Sequence, residues 1–199
     1  MRKLFLFMAL AFFGTAILQA QVKFGAKAGV NFSDITGERV DSFDGRTSFH
    51  FGAVAEIEIS EKFSFQPELI YSSQGSDYTE DFEGDELDGS VKVDYLNVPL
   101  MAKYYVTNGL SVEAGPQIGF LLSAKDEYDD EEEDIKDFLK STDFGVNFGL
   151  GYKLDSGLFF SARYNLGLTD NLDVDETEFE TEGAEYKNSV IQIGIGYFF

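Results

Sequence analysis

Eight segments of this chain alternate with a period of two, and in each one the apolar parity carries no charged residue. They lie at 22–32, 48–59, 63–73, 95–106, 110–122, 144–154, 158–169 and 189–199. A period of two is that of a strand with two distinct faces. One face reads Phe24, Ala26, Ala28, Val30, Phe32 in the first segment and Phe49, Phe51, Ala53, Ala55, Ile57 in the second. It ends with Ile191, Ile193, Ile195, Tyr197 and Phe199 in the last. A Lys or Arg facing the middle of a bilayer costs roughly 2–4 kcal/mol, so exclusion of charge from a whole face is what lipid contact demands. Each segment also has about the 9–11 residues that a tilted membrane-crossing strand needs. The fold expected is all-β, an eight-stranded antiparallel up-and-down transmembrane β-barrel. A soluble barrel with its apolar face inward is the competitor, but this apolar face is too uniformly bulky to fill a small lumen.

The opposite parity holds Lys23, Lys27, Lys103, Lys153 and Arg163 with Glu56, Glu58, Glu68 and Glu113, and every glycine within the strands. Small residues and self-neutralising charges suit the interior of a barrel of about eight strands, which side chains can fill. The nine charged groups are expected to form a structural salt-bridge network in a plugged lumen. An ion path through them is the alternative.

Three connections are tight, at 60–62, 107–109 and 155–157, and four are long, at 33–47, 74–94, 123–143 and 170–188. Outer-membrane barrels keep short turns in the periplasm and long loops outside, so this alternation predicts that both mature termini are periplasmic. Pro67, Pro99 and Pro116 fall inside strands, where each removes a ladder donor; bulges or shortened ladders are expected there.

Residues 1–20 read as a signal peptide, with Arg2 and Lys3 ahead of an apolar run and Ala20 before the expected cleavage point. The mature barrel domain is then 21–199, placed in the outer membrane of a Gram-negative cell. No cysteine is present, so neither a lipid anchor nor disulfides enter the argument. The chain has 36 acidic residues against 15 basic ones. That balance disfavours nucleic acid and anionic surfaces as partners. A monomer in contact with outer-membrane lipid is expected.

Several motifs sharpen this picture. Residues 23–31 (KFGAKAGVN), 66–69 (QPEL), 95–100 (YLNVPL), 113–117 (EAGPQ), 163–169 (RYNLGLT) and the terminal strand resemble the PorT-like family of outer-membrane β-barrel proteins. That family is similar in architecture to the small OmpX and OmpA barrels. The resemblance implies a barrel scaffold and, for some members, a link to protein secretion. By resemblance to other outer-membrane barrels, Tyr197 and Phe199 form the signal read by the barrel-insertion machinery.

No catalytic motif or cofactor site stands out, and a non-enzymatic structural or surface-interaction role is expected. An accessory of secretion or envelope assembly is the alternative; a narrow pore and a lipid-modifying enzyme rank below it. Thirty of the 36 acidic residues fall in the four long connections. The densest run, Asp129, Asp130, Glu131, Glu132, Glu133 and Asp134, has the oxygen chemistry for Ca²⁺ without the ordered spacing of a calcium loop. A solvated, self-repelling and extended loop is the simpler expectation. Tyr78, Phe82, Tyr128 and Phe179 interleave aromatic groups with this acid, which suits an extracellular or envelope protein partner of basic character. His50, the only histidine, sits near Ser48 on the inward face. A lumenal hydrogen bond suits it better than a place in a catalytic group.

Overall fold

The computed structural model describes residues 21–36, 43–82, 85–128, 131–172 and 186–199. The leader at 1–20 and the cleavage point at Ala20 lie outside the described residues, as does Phe179. The strands are β1 (Val22–Thr36), β2 (Phe43–Ser60), β3 (Phe63–Phe82), β4 (Asp85–Tyr105) and β5 (Leu110–Tyr128). They continue with β6 (Glu131–Asp134), β7 (Thr142–Lys153), β8 (Leu158–Gly167) and β9 (Lys187–Phe198).

All strands but β6 form one closed antiparallel ring of eight. The ring closes where β1 meets β9, with Gly25 opposite Phe198 and Thr36 opposite Lys187. Closure leaves no edge strand in the wall, so every wall strand has a partner on each side. The faces fall as the alternation requires. Phe24, Phe51, Leu69, Phe148, Ile193 and Tyr197 are exposed on the outer wall, while Lys27, Glu68, Glu113, Arg163 and Gln192 are buried inside. Two short turns use Gly109 and Gly157 at φ 98° and 92°, a region open to glycine at little cost.

Two sequence expectations need correction. The links at 74–94 and 123–143 are mostly strand rather than loop. β3 runs on from Tyr71 to Phe82, paired with the leading part of β4 down to Phe82 opposite Asp85. β5 likewise continues to Tyr128, with β6 added on its far side, Lys125 facing Asp134. Repulsion between carboxylates is relieved locally. Ser90 donates to Asp77, Lys92 pairs with Glu127, and Lys125 pairs with Glu132. Tyr78 lies across Gly89, where any Cβ would collide with its ring, and its hydroxyl donates to Asp126 at 2.8 Å. The links at 33–47 and 170–188 are shorter than expected for the same reason, since β1 reaches Thr36, β2 begins at Phe43, and β9 begins at Lys187.

The second concerns the prolines, where of the two devices expected the bulge is absent and the shortened ladder is present. Register is unbroken across all three: Pro67 faces Leu100, Pro99 faces Gln117, and Pro116 faces Val146. The bulges lie elsewhere, between Gly45 and His50, Glu58 and Ser60, and Asp94 and Tyr95. What the prolines share is a lateral row across β3, β4 and β5, where the β3–β4 ladder resumes only at Ile70 and the β4–β5 ladder only at Ala102. The missing donors are thus gathered into one band of the wall.

Candidate functional site

The lumen is built from inward side chains of all eight wall strands, and its charges meet at two levels. In the deeper one, Arg163 on β8 reaches across the barrel to Glu68 on β3, with Nη1–Oε2 and Nη2–Oε1 distances of 2.9 and 2.7 Å. Its Nε donates to Glu113 on β5 at 3.0 Å. Lys27 lies 2.9 Å from Glu68 and Lys103 lies 3.1 Å from Glu113, so each carboxylate has two cationic partners. Gln66 completes the set, donating to Glu68 at 2.6 Å and accepting from Lys103 at 3.0 Å. All six side chains are buried. A buried charge survives only when paired and hydrogen-bonded, and the two-pronged guanidinium–carboxylate contact meets that demand.

Nearer the short turns, Lys153 bridges Glu56 at 2.8 Å and Glu58 at 3.4 Å, and Lys23 meets Glu58 at 2.6 Å. The Tyr105 hydroxyl donates to Glu56. Lys153 also sits 4.9 Å from the Tyr105 ring centroid and 5.8 Å from that of Phe198. All nine charged residues expected in the lumen therefore have a partner there, five cations against four carboxylates. Two glycines make the room. A Cβ at Gly149 would stand 2.7 Å from Arg163 Cγ, and one at Gly151 would strike the Glu113 carboxylate.

Charge and glycine patterning did not point to the lumenal aromatics. Phe159 and Phe198 stack with centroids 4.6 Å apart and pack with Val54 and Ile70 into a buried cluster. Their inward parity was readable from the alternation. Their role as filler was not, because an aromatic near a strand end also fits an interfacial girdle.

Toward the long-loop end the interior is mostly amide and hydroxyl, with two charged exceptions among the described residues: half-buried Arg46 donates to the Gln74 carbonyl at 2.7 Å, and buried Asp143 accepts from Asn188 at 3.1 Å. Asn31 Nδ2 donates to Ser72 Oγ at 3.0 Å and to the Ser73 carbonyl at 2.6 Å, and its Oδ1 accepts from Gln192 at 3.1 Å. His50 Nδ1 lies 2.8 Å from the same Oδ1. The Ser48 hydroxyl donates to the Ser73 carbonyl at 2.6 Å. Ser48 and His50 are thus each engaged by a different partner. Asn165 to Asn147 to Gln117 forms a second amide chain, at 3.2 and 3.1 Å. Above it, Val93, Tyr95, Leu121 and Ala124 make an apolar cluster joined by Ile135 and Leu139.

The acidic extension stands beyond this cluster. Glu131, Glu132, Glu133 and Asp134 are all exposed along β6, and strand geometry sends Glu131 and Glu133 to one face and Glu132 and Asp134 to the other. Asp129 and Asp130 lie outside the described residues. Among the described residues no group of three metal-ligating side chains is gathered. The mutual hydrogen bond of the exposed pair raises the Lys125 pKa and lowers that of Glu132. Tyr128 and Phe138 are exposed aromatics here. At the other end, Tyr197 and Phe199 project from the outer wall with rings 6.1 Å apart.

Comparison with known proteins agrees with this geometry. The family described as "Outer membrane protein beta-barrel domain" matches residues 19–173. Among solved structures, the Neisserial surface protein NspA superposes with a TM-score of 0.58 at 10% identity, covering 90% of this chain and 99% of that one. Ail, the attachment invasion locus protein of Yersinia pestis, gives 0.52 at 16% identity with the same coverages. No curated protein matches. Likeness at such low identity speaks for the fold alone, whereas the family match spans most of the chain. A charge-free outer wall suits one solvent, the lipid of an outer membrane, and the chain belongs to the outer-membrane protein β-barrel domain family.

Proposed function

We propose that this barrel is a non-conducting, non-enzymatic scaffold that presents an acidic, strand-built extension outside the cell to a cationic protein partner. Its short turns and both mature termini then face the periplasm, in keeping with the rule for outer-membrane barrels. The observation that carries the reading is the continuity of β3, β4 and β5 from the apolar wall into the acidic sheet. Acid on paired strands is held at fixed spacing, so a partner meets it without first ordering a loop. Pairing of the nine charged side chains between mid-barrel and the short turns supports a closed interior. Ail is named for attachment and invasion, and Ail also has a structure with the heparin analogue sucrose octasulfate. The extension here has the sign that repels such a polyanion and attracts a cation.

Because the chain has no native cysteine, single cysteines report topology cleanly. Glu132→Cys is expected to react with a membrane-impermeant maleimide on intact cells, and Asn108→Cys only after permeabilisation. A photo-crosslinker at Glu132 should capture a protein partner in intact cells, and neutralising Glu131, Glu132, Glu133 and Asp134 together should abolish the capture. Crosslinks arising only from Asn108 would instead favour the accessory role implied by the PorT-like resemblance. Capture unaffected by neutralisation would end the electrostatic reading.

A further inference from the structure

Each wall proline lacks the N–H that would bond the strand beside it, and the pairing gaps locate the lost bonds. Between β2 and β3 the ladder stops at Val54–Glu68 and resumes at Ile57–Phe65, so Pro67 leaves the Ala55 carbonyl without its ladder donor. Between β3 and β4 it skips from Pro67–Leu100 to Ile70–Asn97, where Pro99 faces Glu68. Between β4 and β5 it skips from Pro99–Gln117 to Ala102–Ala114, where Pro116 faces Leu100. The three lapses adjoin and form a staircase across four strands. The five other wall interfaces, the β1–β9 junction among them, are laddered without a gap. Lipid supplies no donor for a bare carbonyl, so a wall with such a staircase depends on other links. Side chains in the lumen provide them. Lys103 on β4 donates to Gln66 on β3 at 3.0 Å and lies 3.1 Å from Glu113 on β5. Tyr105 on β4 donates across the inner face of β3 to Glu56 on β2. Gln66, Glu56, Lys103 and Glu113 are all buried. Every lapsed interface is thereby spanned from the inside.

We propose that the staircase is a lateral seam in the barrel wall and that these lumenal side chains are the clamp that holds it shut. Loosening the clamp parts the wall toward lipid between β2 and β5 before any other interface yields. Where the ladder is complete, two strands stay joined when a lumenal contact is lost. Across the seam the same loss removes the link that stands in for a rung. The β1–β9 junction, where the ring closes, is therefore not the weak point of the wall. The device is independent of the acidic extension and of any partner that the extension meets.

The test is backbone amide exchange, read by NMR on the full mature chain in lipid nanodiscs. Ladder geometry leaves Ala55, Glu68 and Leu100 one bond each at the staircase, from their own N–H, so their amides report the seam. Leu150, Ala162 and Ile193 form an unbroken row on the far wall and report the rest. Lys103→Met should speed exchange at the first three about tenfold and leave the second three within about twofold of the parent. Pro99→Ala in that background returns a donor to the Glu68 carbonyl and should slow the Glu68 amide again. The chain has no native cysteine, so Leu69→Cys with Val98→Cys can bridge the β3–β4 lapse. Oxidised, that bridge should cancel the acceleration at Glu68 and Leu100; reduced, it should let it return. Should Lys103→Met fail to refold, Gln66→Met cuts the same β3–β4 contact. Equal acceleration on both walls would mean a general loss of stability, and none at the seam would mean that the wall stays shut without a clamp; either overturns the proposal. So would acceleration that the oxidised bridge leaves untouched.

Discussion

The lumen and the acidic extension use charge in opposite ways. Inside, five cations and four carboxylates are joined in contacts that give each of those four carboxylates a cationic partner. Outside, β6 alone sets four exposed carboxylates beside β5, with Lys125 as a close partner to one of them. Burial explains the contrast. In the lumen an unpaired charge is costly, so each of these side chains is held against partners on other strands. On the extension, water screens the charge beyond about 8 Å at physiological salt, so acid can accumulate there with little effect on the fold. Interior charges answer one another across the barrel; the four carboxylates of β6 face water.

Mutation should separate the two regions by size of effect. The largest loss is expected from Arg163→Met, which strips Glu68 and Glu113 of the guanidinium between them. Breaking a buried network from one side costs about 3–5 kcal/mol, readable as a fall in the urea midpoint of the refolded barrel. A midpoint unchanged from the parent would mean that water, not Arg163, solvates those carboxylates. Gly149→Ala comes next, at about 1–3 kcal/mol, because the added methyl meets both the Ala162 carbonyl and Arg163 Cγ. In an Arg163→Ala background, which removes that Cγ, part of that cost should vanish, and strict additivity would deny the steric link. Tyr105→Phe removes the hydroxyl from Glu56 but leaves Lys153 in place. About 1–2 kcal/mol should be lost in the same unfolding assay. The smallest effect is reserved for the extension. Neutralising Glu131, Glu132, Glu133 and Asp134 should leave the urea midpoint where it was and weaken only the capture of a cationic partner. A large drop in stability from those exposed changes would erase the distinction between the regions.

The two regions also differed in how far the sequence disclosed them. The wall was legible because lipid imposes a hard rule: Phe49, Phe51, Ala53, Ala55 and Ile57 form one face with no charge, and Glu56 must then point inward. The lumenal partners were legible as a set but not as pairs. Nothing in the spacing tells Lys27 to choose Glu68 or Lys103 to choose Glu113, since that depends on shear and on which strand lies across the barrel. Of the five charged residues in the motifs quoted above, Lys27, Glu68, Glu113 and Arg163 meet in one buried network, while Lys23 pairs with Glu58 nearer the short turns. The extension was misread because Asp and Glu have low strand propensity and residues 123–134 show no alternation. Their strands continue the ladders of the wall, with Tyr78 lying across Gly89, which is a tertiary cause. The prolines were legible in part. Bulges or shortened ladders were expected at each; the shortened ladder is what occurs, because alignment across three neighbouring strands lets the ladder lapse without loss of register.

The central claim, that the lumen is a structural network and action lies outside it, is most directly tested by recording from the purified mature chain in planar bilayers. The account predicts no unit conductance above the bare membrane for the parent. Steady, ion-selective steps would contradict it and assign the lumenal charges to an ion path.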